Sequence, residues 1–339
     1  MARRSLWTAL AALIAAAALA GCGGPANGSG NASTGGGNGG KINLVAYSTP
    51  QEAYQALIPA FQKTAAGKGT SFSQSYGPSG DQSRAVAAGL PADIVALSLA
   101  PDVDKLVQPG IVNSNWANTP TKGFVTDSVV VFTVRKGNPK HIKTWADLVK
   151  PGVEVLTPNP FTSGGAKWNL MAAYGAQLKQ GKSPAQALAF LKQLLQHVPV
   201  QDKSGRESLQ SFTNGKGDVA ITYENEAINA QQHKVPVDYV IPDQTILIQN
   251  PVAVTKDAKP QAKAFQKFLF SEQGQKIYAS KGYRPVDKKV LDAKQFPTPK
   301  QLFTIDDLGG WTKVNADFFD PTNGSVAKLE QDLGVSTAK

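Results

Sequence analysis

The chain has 339 residues, 41% hydrophobic and 18% charged, enough for about two domains that each bury a core. One cysteine excludes a disulfide scaffold, and the ordinary charged fraction excludes both a disordered chain and a polytopic membrane protein. The formal charge of +10 permits an anionic partner, but no Lys/Arg cluster interleaved with aromatics is present, so nucleic acid is set aside.

Residues 1–21 open on Arg3 and Arg4, run apolar over 6–20, and close on Leu19-Ala20-Gly21. A cationic start, an apolar centre too short to span a bilayer and small residues before the cut make a signal peptide. Cys22, the single cysteine, follows directly and resembles the diacylglycerol acceptor of a bacterial lipoprotein. Residues 22–40 then form a lipid-anchored flexible linker, which from Gly23 onward is Gly, Asn, Ser, Ala, Thr and one Pro, with nothing to bury. The expected location is extracytoplasmic, on a lipid anchor at the cell membrane. Loss of Arg3 and Arg4 leaves 33 basic against 25 acidic residues, a charge of +8 that reads as a solvated surface.

From Lys41 onward, strand-like segments alternate with amphipathic Ala-rich ones, the pattern of α/β layers with a largely parallel sheet. A strand over 42–47 leads to a helix over 51–65, with Pro50 at its start and Ser48 or Thr49 as cap. A strand over 71–76, a helix over 81–88, a strand over 93–97 and a helix over 100–107 complete the first group. The second group takes strand 128–135, helix 145–149, strand 154–157, helices 166–179 and 184–196, strand 198–201, strand 218–223 and helix 224–231. Beyond it come a strand over 251–255 and a helix over 258–270. The expected organisation is a first lobe of 41–125 and 248–339 and a second of 126–247, joined near 123–129 and 244–250, with the ligand cleft between them.

Catalytic chemistry is thin. His141, His197 and His233 lack metal-ligand spacing, and no Gly-x-Ser-x-Gly elbow or Walker loop occurs, so no catalytic residue, metal or cofactor is assigned. Asp306-Asp307 and Glu224 to Glu226 read as helix-start or surface acids. What recurs is a polar, Gly- or Pro-bearing loop at a helix start, over 47–50, 76–82, 162–165 and 203–208. Gly lets backbone N–H groups approach a ligand closely, and the first turn of a helix offers unpaired donors with partial positive charge. Four such starts converging suit an oxyanion.

The runs YGPSGDQ (76–82), VFTVRKGNP (131–139), TPNPFTSGGAKWN (157–169), GDVAITYENEA (217–227) and LFTIDDLGGW (302–311) closely resemble the sulfate-binding proteins of bacterial ABC importers, a family that includes thiosulfate binders. The resemblance spans about 42–318. It implies a two-lobed periplasmic-binding-protein-like fold of type II whose lobes hold dehydrated sulfate by main-chain N–H groups, a serine hydroxyl and a side-chain N–H. It implies delivery to an ABC permease and ATPase complex by a monomer that is not an enzyme. Position by position, it gives the amide of Ser48, where the family often has Asp, and the amide of Ser79. Ser163 gives its hydroxyl, Gly164 and Gly165 their amides. Gly205 stands where the family commonly has Ala, and Tyr223 where the best-known members carry a Trp. Arg206 is expected to orient its loop instead of touching ligand.

That set contains no carboxylate. A donor-only site suits a dianion without a proton, whereas hydrogen phosphate brings a proton that needs an acceptor. Sulfate is therefore favoured over phosphate, with thiosulfate or another tetrahedral oxyanion the same-class alternative. An exported ester hydrolase and a receptor reporting to a membrane sensor are the alternatives of other classes.

Overall fold

The computed structural model describes residues 40–337; the expected signal peptide, Cys22 and the linker up to residue 39 lie outside the described residues. The first group is β1 (Lys41–Tyr47), α1 (Gln51–Gln62), β2 (Ser71–Gly77), α2 (Ser79–Ala87), β3 (Ile94–Ala96) and α3 (Ala100–Asp104). Next come β4 (Phe124–Arg135), β5 (Val155–Leu156), α4 (Gly164–Lys179), α5 (Pro184–Gln196), α6 (Gly205–Thr213), β6 (Val219–Tyr223) and α7 (Glu224–Gln232). The rest is β7 (Val237–Val240), β8 (Gln244–Val254), α8 (Pro260–Leu269), α9 (Glu272–Ser280), β9 (Arg284–Pro285), β10 (Gln301–Phe303), α10 (Gly310–Phe319) and α11 (Ser325–Asp332).

The sheet runs β2-β1-β3-β8-β4-β6-β5. It is mixed where a largely parallel one was expected: β1 is parallel to β2 and β3, and β5 to β6, but β8 and β4 run antiparallel to each other and to β3 and β6. The reason is the length of β4 and β8, two strands of 12 and 11 residues that pass from one lobe to the other. They pair from Phe124↔Pro251 to Val129↔Leu247, with a register shift between Phe124 and Thr126. β4 is buried along almost its whole length, as a strand covered on both faces must be.

Two main cores result. Ile42, Leu44, Tyr54, Phe61, Phe265 and Tyr278 fill the first lobe. Trp145, Trp168, Leu191 and Ile221 fill the second. Residues 248–339 do not all complete the first lobe: Phe303, Ile305, Val314, Phe318 and Val326 belong to the core of Trp145 and Trp168. The physical cause is β10, which pairs in parallel with Gln244–Ile246 of β8 and so delivers α10 and α11 to the second lobe.

Two smaller expectations also differ. The run 198–201 forms no strand, because Pro199 lacks the N–H a ladder requires; the chain merely leaves isolated bonds such as Val155 N to His197 O (2.8 Å). Glu224 and Glu226 do start α7, but they are fully buried and not surface acids, each ion-paired to an arginine, Arg284 and Arg206.

Glu330 on α11 is also buried, and burial pushes its carboxyl up to about 7. Gln201 Nε2 donates to Glu330 Oε2 at 2.8 Å, while Gln201 Oε1 and Glu330 Oε1 are two acceptors without a donor. Between the ordinary carboxyl value and about 7 the folded chain holds a proton the unfolded chain has lost, so stability falls as pH rises through that window. Glu330→Gln, whose amide can donate to Gln201, is expected to gain about 2 kcal/mol at pH 8 and almost nothing at pH 4. Urea unfolding at the two pH values checks this.

Candidate functional site

The site is made by how four helices begin. α1 and α2 start from Pro50 and Pro78 as N-cap residues, so no side chain caps either helix. Neither Ser48 nor Thr49 caps α1 as expected: a proline occupies that position, and the Thr49 hydroxyl instead faces the Tyr283 hydroxyl at 3.4 Å. α4 and α6 start from Ser163 and Ser204, whose hydroxyls accept from the third amide in, Ala166 N and Glu207 N. An α-helix leaves its first four N–H groups without an intrahelical partner, and a serine cap satisfies one of them. The amides of Ser79, Gly164, Gly165 and Gly205 are thus donors at helix starts, and Ser163, which accepts through a lone pair, keeps its hydroxyl hydrogen to give.

These starts meet. Ser48, Ser79, Ser163, Gly164, Gly165, Gly205 and Tyr223 all line one cavity of about 20 Å³, so every residue carried over from the sequence as a ligand contact reaches the same space. None of its lining residues bears a formal charge. That volume suits a small ion, far below the roughly 300 Å³ at which organic-ligand pockets begin. A cavity without a charged side chain, lined by helix starts and hydroxyl groups, binds an anion without a counter-charge, through the helix dipoles and the fixed amides.

The lobes approach closely at this point. Gly80 N donates across the cleft to Thr162 O at 3.2 Å, and a Cβ on Gly164 would lie 2.8 Å from Ser98 Oγ. The Ser79 hydroxyl is already committed, donating to Asp102 Oδ2 at 2.7 Å and accepting from Ser98 N at 3.0 Å, so Ser79 offers the cavity its amide alone. Asn169 ties α4 to the sheet, its Nδ2 donating to Thr157 Oγ1 (3.0 Å) and Ile221 O (2.8 Å). Trp168 Nε1 donates to Ser98 O at 3.0 Å, a second bond between the lobes.

Arg206 does not line the cavity. Its guanidinium donates to Thr49 O (3.0 Å), Glu226 Oε1 (2.8 Å) and Glu52 Oε1 (3.3 Å), joining α6 and α7 to the first turn of α1 across the cleft. Asn229 Nδ2 reaches the other Glu52 oxygen at 2.6 Å. Burial raises the Glu226 carboxyl, and the Arg206 charge opposes that rise. Arg206 therefore ties the start of α6, where Gly205 sits, to the first turn of α1 and to α7.

Tyr47, Thr49, Pro78, Asn169, Thr222 and Ser98 also line the cavity without having been assigned from the sequence, and of these Ser98 alone lies outside every loop and run singled out there. It follows β3, at the carboxyl end of a strand where ligands of α/β sheets gather, and that position was the available signal. Its hydroxyl lies 2.6 Å from the Tyr223 hydroxyl, both groups buried. Burial holds the Tyr223 phenol far above its ordinary value, so it stays protonated.

Comparison with known proteins adds to this geometry. Residues 42–284 match the family model described as bacterial extracellular solute-binding protein. A sulfate-binding protein of Synechococcus elongatus is 42% identical over 345 aligned residues, covering 97% of this chain and 97% of that one. The solved structure of the sulfate-binding protein SubI from Mycobacterium tuberculosis superposes with a TM-score of 0.80 at 46% identity, covering 83% of this chain and 99% of the other. A thiosulfate-binding protein of Pseudomonas aeruginosa is 36% identical, covering 81% of this chain and 88% of that one.

Proposed function

We infer the function from one premise: the chain belongs to the family of bacterial extracellular solute-binding proteins, among their sulfate-binding members. It binds sulfate outside the cytoplasm and delivers it to the permease of an ABC importer. The observation that carries this is the uncharged cavity into which four helix starts direct amides and the Ser163 hydroxyl. Sulfate has no proton to donate, so every such contact is satisfied, whereas a protonated oxyanion leaves one hydrogen facing donors.

Sulfate is held by the amides of Ser48, Ser79, Gly164, Gly165 and Gly205 and by the hydroxyls of Ser163 and Tyr223, with Arg206 in support. The paired stretches of β4 and β8 over 123–129 and 244–250 act as the hinge, and the chain works as a monomer. Residues 1–21 direct export and Cys22 carries the lipid, leaving 22–40 as a tether. The chain binds and does not catalyse; assays with sulfate and phosphate esters are expected to release no product.

Thiosulfate is the second reading, since relatives named for it share 36% and 34% identity, against 40–42% for several named for sulfate. Thermal unfolding with each oxyanion separates the two. Sulfate at a hundredfold excess over its dissociation constant stabilises by about 2.7 kcal/mol, seen as a rise in melting temperature. A larger rise with thiosulfate than with sulfate at equal concentration would reassign the ligand, and no rise with either, molybdate or phosphate would remove the function.

A further inference from the structure

We propose that the end of the first lobe farthest from the cavity is a docking face for an anionic lipid surface, with lysines against the phosphate headgroups and Leu90 between them. This rests on the reading of residues 22–40 as a tether whose lipid lies in the membrane. A tether holds the chain at the membrane but leaves its orientation open. A face of matching chemistry fixes it.

Four segments, 40–41, 63–71, 90–93 and 255–263, meet at this end, where β1, β2 and β3 begin and β8 leads into α8. Ser71 N donates to Gly40 O (3.1 Å), Thr255 Oγ1 to Ala92 O (2.9 Å) and Lys259 Nζ to Lys41 O (2.8 Å), which ties them together. The Asp93 carboxylate accepts from Asn43 N (2.7 Å) and Lys259 N (3.5 Å) beneath them. Ser48, which lines the cavity, lies past the other end of the seven-residue β1, roughly 20 Å away.

The charge at this end is one-sided. Lys41, Lys63, Lys68, Lys256, Lys259 and Lys263 are all exposed here, and no described carboxylate is ion-paired to any of them. Of the two acids in these segments Asp93 is buried, which leaves Asp257 alone exposed against six lysines. Lys259 and Lys263 lie one turn apart at the start of α8 and so share a face. Leu90, 36% exposed beside the exposed Pro91, is one of three large apolar side chains left in solvent among the described residues. Unpaired lysines around a solvated leucine match a layer of phosphates over acyl chains, where the lysines take the headgroup charge and the leucine the apolar edge. A soluble polyanion would offer Leu90 nothing.

Position favours the same occupant. The described chain begins at Gly40, inside this end, so a lipid on Cys22 keeps the face at high local concentration over the membrane. Docked there, the chain stands on its first lobe with the cavity roughly 20 Å above the headgroups, more than two Debye lengths at physiological salt. The negative surface therefore does not deplete sulfate at the cleft.

The test is sedimentation with vesicles of equal parts phosphatidylglycerol and phosphatidylcholine, using the chain from residue 22 with Cys22→Ser so that no lipid is attached. Wild-type sequence otherwise is expected to bind these vesicles, to bind pure phosphatidylcholine far less, and to be released by high salt. Lys256→Gln, Lys259→Gln and Lys263→Gln together are expected to weaken vesicle binding roughly a hundredfold, at about fivefold per lysine, and Leu90→Asn several-fold. Lys143→Gln, Lys182→Gln and Lys192→Gln, which remove the same charge from exposed positions of the second lobe, are expected to change it less than about twofold. All these variants should bind sulfate as the parent does, which shows that they fold. Equal losses in the two triple variants would overturn the proposal, because net charge and not this face would then hold the vesicle. Binding of soluble polyphosphate as tight as that of vesicles, or no vesicle binding at all, would overturn it too. Sulfate titration and the mass of the exported chain report on the ligand and on the Cys22 lipid separately, so failure of either reading is distinguishable from failure of the face.

Discussion

Gly164→Ala is expected to weaken sulfate binding about a hundredfold while leaving the melting temperature of the ligand-free protein within a few degrees of wild type. The added methyl would sit 2.8 Å from Ser98 Oγ and 2.9 Å from Leu99 Cγ and Ser98 Cβ, all of them on the opposite lobe. Contacts that short force one lobe away from the other, and overpacking of this kind costs about 1–3 kcal/mol. The strain exists only when the lobes are closed, so it falls on the bound state and spares each lobe's own core. Gly164→Asp adds a carboxylate beside the anion and is expected to abolish binding. Gly205→Ala is the control, because its nearest contact is Thr49 Cγ2 at an ordinary 3.5 Å, and its affinity should stay within about twofold. Calorimetry on the three variants checks the order; equal losses at Gly164 and Gly205 would mean that closeness of the lobes does not set affinity.

Arg206→Ala is expected to lower the unfolding free energy by about 3 kcal/mol, more at pH 8 than at pH 5. The substitution strips the 2.8 Å partner from Glu226, a carboxylate with 1% side-chain exposure. Burial already raises that carboxyl, and without Arg206 it rises further. A folded-state value above the unfolded one means stability lost as pH rises, which is why the defect grows toward pH 8. Adding Glu226→Gln removes the unpaired charge and is expected to recover part of the loss. Sulfate affinity should fall as well, about tenfold, since the bonds to Thr49 O and Glu52 that favour closure are gone. Urea unfolding at the two pH values, alongside titration, separates the stability effect from the closure effect; a loss that is the same at pH 5 and pH 8 would contradict the assignment to Glu226.

Local grammar made most elements legible. Alternation and caps gave β1, α4 and α5 nearly to the residue, since Ser163 and Ser183 do cap the helices that follow them. Long-range pairing was not legible. Nothing in the sequence of β4 or β8 states that they run antiparallel through both lobes, and nothing near Gln301 states that three residues of β10 will carry α10 and α11 onto the second core. The expected ligand contacts came from the resemblance, position by position; the loops of Ser48, Ser79, Ser163 to Gly165 and Gly205 also carried the short-range signal of a helix start with Gly, Ser or Pro, whereas Tyr223, at the start of α7, carried none. Ser98 escaped because the Tyr223 hydroxyl it meets is 125 residues away, and Arg206 showed its partners only once α1 and α6 were side by side. Glu224 and Glu226 looked like surface acids because the arginines that pair with them, Arg284 and Arg206, come from elsewhere in the chain.

The measurement that bears most directly on the site is calorimetric titration of the desalted protein with sulfate and with inorganic phosphate at pH 6 and pH 8. No lining residue bears a formal charge, and burial keeps the Tyr223 phenol protonated throughout that range. Sulfate is therefore expected to bind one per chain with the same affinity at both pH values, and phosphate far more weakly. Equal affinity for phosphate, or sulfate binding that changes tenfold between the two pH values, would contradict a neutral oxyanion site built from helix starts.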